Sequence, residues 1–205
     1  MEQDAGRSRL RDMNKISALL LVGLLLSACT DQPRTLPAPT KSLDPSANAG
    51  PSRAELRSIE VYGAVLRRLI MKDHTFGRGR SPFDHVYVLD GAVRNGARWR
   101  NMWKIAKPFS EEVRKGLREE LRALPPITFI SGTRAQRMGD KGMVRGVEGM
   151  GVILSVGSID GHGSRVEVSN SLWCSGLCGQ WLTYVLELTE GRWKITGTTG
   201  PMVIS

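Results

Sequence analysis

An apolar run followed by a proline-rich stretch removes roughly the first quarter of this chain from any folded core. Residues 16–26 read Ile-Ser-Ala-Leu-Leu-Leu-Val-Gly-Leu-Leu-Leu, preceded by Asn14 and Lys15 and closed by the small residues Ser27 and Ala28 before Cys29. A positive start, a short apolar stretch and a small-residue cleavage site are the marks of an export signal. Eleven residues are too few to span a bilayer, which takes roughly 20. Residues 30–51 carry prolines at 33, 37, 39, 45 and 51 among Ser, Thr and Ala. That composition buries too little apolar surface to fold and reads as an extended tether. Residues 52–205 remain, enough for one domain with a substantial core.

Leu26-Ser27-Ala28-Cys29 resembles the lipobox of bacterial lipoproteins. The resemblance implies cleavage before Cys29, a diacylglycerol on its sulfur, and a domain held outside the cytoplasm on a membrane of the bacterial cell envelope. Residues 1–28 then form the signal peptide and residues 29–51 the lipidated cysteine with its linker. Glu2, Asp4 and Asp12 dilute the positive start, and Met13-Asn14-Lys15 is the more natural beginning of such a signal. We therefore expect translation to begin at Met13.

The chain carries a formal charge of +9. A basic protein outside the cytoplasm meets anionic headgroups and wall polymers more readily than nucleic acid. No nucleic-acid partner is expected, and a protein partner is not legible.

Local signals order the domain. Ser52-Arg53-Ala54-Glu55 has the form of a capping box. Leu56, Ile59, Leu66 and Ile70, widened by Val65 and Leu69, recur at helical spacing, so a helix is expected over 53–72. A loop over 74–82 and a strand over 85–89, ending at Asp90-Gly91, follow. Residues 92–107 show no clean period. A second helix is expected over 108–124, with Ser110 as N-cap and Val113, Leu117, Leu121 and Leu124 as its stripe. Strands are expected over 127–130, 151–159, 165–169, 181–189 and 192–198, the last two joined at Glu190-Gly191. The fold class is therefore α+β: a mainly antiparallel sheet of five or six strands with two main helices on one face.

The segment Leu182-Thr183-Tyr184-Val185-Leu186-Glu187, its turn, and Gly191-Arg192-Trp193-Lys194-Ile195 resembles the closing hairpin of the NTF2-like superfamily. That resemblance implies a curved antiparallel sheet wrapped on helices as a cone. The block 171–200 is also similar to tails of uncharacterised bacterial exported proteins, which implies no activity. The superfamily hosts enzymes, binding modules and scaffolds, so the fold does not choose among them.

Three groups of residues are candidates for chemistry. Cys174 and Cys178 are two thiols in an exported chain, close enough to pair as a disulfide across a tight turn. Free thiols and a redox dithiol are the alternatives, although redox pairs usually have two-residue spacing at a helix start. Arg94, Arg98, Trp99, Arg100, Trp103 and Lys104 interleave cations with indoles and are the candidate contact with anionic lipid or wall polymer. The alternative is a surface loop whose tryptophans fold back on the domain. His74, His85 and His162 are scattered, and Asp84, Asp90, Glu148 and Asp160 form no recognisable acid pair. No catalytic residue, metal site or cofactor is expected from motifs.

These signs favour a non-catalytic binding or interaction module. A small envelope hydrolase with an unlocated acid/base site is the alternative, and thiol redox work at Cys174 and Cys178 a third.

Overall fold

The computed structural model describes residues 50–74, 81–94, 103–139, 146–147 and 149–205. All of them belong to the second of the two units into which the chain divides, Asp44–Ser205. Among the described residues, three helices and seven strands follow in the order α1 (Arg53–Met71), β1 (His85–Val93), β2 (Ile105–Pro108), α2 (Glu111–Glu120), β3 (Ile127–Ile130), α3 (Gly132–Gly139), β4 (Gly151–Asp160), β5 (Arg165–Ser175), β6 (Cys178–Thr189) and β7 (Arg192–Ile204).

The sheet is open and mostly antiparallel, in the order β2-β1-β4-β5-β6-β7. Strand β1 serves three neighbours. Its first half pairs with β3 in parallel, Val86 opposite Ile127 and Leu89 opposite Ile130. Its second half pairs with β2 antiparallel, Gly91 opposite Pro108. Strand β4 runs parallel to it, Val86 opposite Val152. From β4 onward every connection in the sheet is an antiparallel hairpin.

The two expected helices lie on one face. Ser52 caps α1 and Glu55 closes the capping box, as its sequence foretells. Val61, Val65, Leu66, Leu69 and Ile70 are buried, whereas Leu56 stays 47% exposed at the helix start. Helix α2 buries Val113 and Leu117. The two helices run side by side in the same direction: Glu55 meets Ser110 near their starts, and Arg67 bonds Glu120 at their far ends. Their contact is close because a Cβ on Gly116 would overlap Ile59, and one on Gly63 would stand 2.6 Å from Glu120 Cγ. Together they cover a core drawn from β1, β4, β5 and β6, including Val88, Leu154, Leu172 and Tyr184.

Several boundaries differ from the sequence expectation. Asp90-Gly91 does not end β1, because β2 pairs with that half. Residues 105–108 are a strand, so Pro108 precedes α2 instead of beginning it, and α2 stops at Glu120. Helix α3 carries only Ala135 as a fully buried side chain, too little for an apolar stripe to announce it. It lies on the opposite face from α1 and α2, over a second core of Leu89, Val93, Ile130, Ala135, Val147, Ile153 and Trp173. Strands β5, β6 and β7 run longer than expected, to Ser175, from Cys178 and to Ile204.

Candidate functional site

The second core carries a groove, a space of about 720 Å³ between the approach to β2 and the start of α3. Arg94, Trp103, Lys104, Thr133 and Gln136 supply its functional side chains. Trp103 forms one wall. Its indole meets Trp173 edge-to-face at 5.7 Å between centroids and is half-buried against the second core. Helix α3 passes so close that a Cβ on Gly132 would overlap the Trp103 carbonyl, and one on Gly139 would come within 3.2 Å of the indole. Gly132, Ala135 and Gly139 lie on one helix face at spacings of three and four, so this small-residue face receives the tryptophan.

The electrostatics of the groove are one-sided. Residues 103–110 and 127–139 contain Lys104, Lys107, Arg134 and Arg137 and no carboxylate. Among the described residues, Arg94 and Lys104 make no ion pair, and Arg134 lies over the Tyr87 ring at 5.8 Å. Elsewhere some cations are matched, whereas Arg53, Lys72, Lys115 and Arg192 stand in no ion pair among the described residues. Arg67 pairs with Glu120, Arg68 with Asp73, Arg114 with Asp90 and Glu111, Arg165 with Glu187, and Lys194 with Glu190.

Of the expected surface contact, the structure thus brings Arg94, Trp103 and Lys104 to one groove, the two cations exposed and the tryptophan half-buried. Arg98, Trp99 and Arg100 lie outside the described residues, as do Cys29, Glu148 and residues 1–49. Thr133 and Gln136 were not legible as site residues. The only sequence hint was the Gly-x-x-Ala-x-x-x-Gly spacing of α3, which has no meaning until Trp103 is known to lie against it. No family model matches this chain, and no curated protein or solved structure matches it either.

The remaining candidates are dispersed. His74 is buried edge-to-face against Phe83, His85 is exposed at the start of β1, and His162 is exposed in the β4–β5 turn. Among the described residues, no three His, Cys, Asp or Glu side chains are grouped to hold a metal ion. Asp90 is bound by both carboxylate oxygens to Arg114, at 3.0 and 2.9 Å. Cys174 and Cys178 form a disulfide, with Cα atoms 5.3 Å apart, where β5 turns into β6.

A second polar constellation sits at the C-terminal end of α1. Asp73 accepts hydrogen bonds from the Tyr184 hydroxyl and from Arg68 Nε, each at 2.8 Å. Burial, followed by that bond to Asp73, raises the Tyr184 pKa, so the phenol stays protonated. Tyr184 is 1% exposed. A neutral phenol and a guanidinium sharing one carboxylate latch α1 to β6.

Proposed function

We propose that this protein is a lipid-anchored binding module of the bacterial cell envelope, with the groove between β2 and α3 as its ligand site. Cys29 carries the lipid, residues 30–51 hold the domain off the membrane, and the groove faces an anionic surface. The observation that carries the reading is the convergence of Arg94 and Lys104, neither in an ion pair among the described residues, on one concavity whose described lining holds no carboxylate. Two cations, a hydroxyl, an amide and an indole wall suit holding an anion rather than moving a proton. The closing hairpin that resembles the NTF2-like superfamily is β6 and β7, on the far side of the sheet order from β2, and a shared cone is part of this proposal.

Two measurements test it. Cells fed labelled palmitate should yield a labelled protein in the membrane fraction, and Cys29→Ser should abolish the label. Mature-length Cys29→Ser protein, residues 29–205, should sediment with anionic liposomes and not with zwitterionic ones. Replacing Arg98, Arg100 and Lys104 by Ser, or Arg94 and Lys104 by Ser, should weaken that sedimentation. Equal sedimentation by all three proteins would reject the surface role.

A further inference from the structure

We infer that the groove between β2 and α3 recognises a phosphate ester carried on a polyol or sugar, an inference that rests on reading this groove as the ligand site. The volume argues first. A space of about 720 Å³ is far larger than a bare anion needs and falls within the usual range of roughly 300–1,000 Å³ for small-ligand pockets. The ligand therefore has a body as well as a charge.

The lining then describes that body. Arg94 follows β1, Lys104 precedes β2, and Thr133 opens α3, so hydrogen-bond donors reach the groove from three separate elements. Donors converging from several directions suit the oxygens of a tetrahedral anion. A planar carboxylate is served by one guanidinium fork. Gly132 and Thr133 also lie in the first turn of α3, where backbone N–H groups have no intrahelical acceptor. They add to the cations and do not make the site alone. Thr133 and Gln136 offer neutral donors and acceptors for hydroxyl groups. The Trp103 indole supplies an apolar wall for the C–H face of a sugar or polyol. Such chemistry occurs both on a phospholipid headgroup and on a free or polymer-borne phosphate.

The test uses mature-length Cys29→Ser protein, residues 29–205, and calorimetric titration with three probes: glycerol 3-phosphate, inorganic phosphate and glucuronate. Glycerol 3-phosphate should bind at least tenfold more tightly than either other probe. Lys104→Ser and Thr133→Val should each weaken it tenfold or more, and the fluorescence change on binding should vanish in Trp103→Phe. Competition with phosphatidylglycerol vesicles separates the sources. Displacement of the vesicles by the ester assigns a lipid headgroup, and ester binding without displacement assigns a free or polymer-borne phosphate; both support the inference. Glucuronate binding as tight as the ester's overturns the phosphate assignment while leaving an anion groove. No binding of any probe, with charge-dependent vesicle sedimentation intact, overturns the inference and spares the surface reading. Loss of both rejects the groove as the ligand site.

Discussion

The Ser110 hydroxyl donates to Glu55 Oε1 at 2.5 Å, so the residue that caps α2 is held by the residue that completes the capping box of α1. The same carboxylate accepts from the Ser52 backbone N–H at 2.9 Å and the Ser52 hydroxyl at 2.8 Å. Because α1 and α2 run in the same direction, their positive N-terminal ends lie together. One carboxylate opposes both helix dipoles.

Ser110→Ala removes an N-cap and the tie between the helices at once. The expected loss is about 0.5–2 kcal/mol, the range for such caps. Urea denaturation measures it, and an unchanged midpoint would show that the shared cap is decorative.

The Glu55 linkage also has a pH signature. The hydrogen bond from Ser110, then those from Ser52, lower the Glu55 pKa below its ordinary value of 4.5. The carboxylate's contribution to stability is therefore fully present above that ordinary value, and is lost as pH falls through the lower, folded-state value. Acid titration of the unfolding midpoint should show this loss, and Glu55→Gln should remove it.

The alkaline side is governed by buried phenols. Burial, reinforced by Asp160, pushes Tyr62 up to about 12, and Tyr184 is raised as well. Below the ordinary phenol value of 10 both states hold their protons and stability is unaffected. Above it the unfolded chain ionises first, so stability falls between about pH 10 and 12. Tyr62→Phe and Tyr184→Phe should each flatten that fall when unfolding is followed over this window. A slope identical to wild type in both variants would refute the burial argument.

Gly132 offers a test whose sign is informative. In an unconstrained helix Gly→Ala gains up to about 1 kcal/mol. Here the new methyl meets the Trp103 carbonyl, so Gly132→Ala should instead lose about 1–3 kcal/mol. Gly139→Ala faces a ring carbon at 3.2 Å and should cost less. Stabilisation by Gly132→Ala would mean that α3 does not lie against this tryptophan.

The disulfide closes a short loop, so its contribution belongs at the low end of about 0–5 kcal/mol. In folded Cys29→Ser protein, a thiol reagent should label neither Cys174 nor Cys178 before reduction and both after it. Labelling before reduction would contradict the bridge.

What the sequence alone determined is what neighbours within four residues decide. The Ser52–Glu55 box, the Ser110 cap, the stripe of Val113 and Leu117, and the Glu190-Gly191 turn are short-range interactions, and each is legible without a fold. Tertiary structure decided the rest through partners distant in the chain. Asp90-Gly91 looks like a stop until β2 pairs with it, and 105–108 has no pattern until β1 is beside it. Strand β5 extends to Ser175 because Val147 N–H bonds the Cys174 carbonyl and β6 runs alongside, and β7 reaches its end because Ser205 pairs with Gly179. The groove follows the same rule. Arg94 and Lys104 are visible as charges in the sequence, but only the contact of Gly132 with Trp103 places Thr133 and Gln136 beside them. Backbone hydrogen bonds and close packing between remote segments leave no periodic trace in either segment read singly.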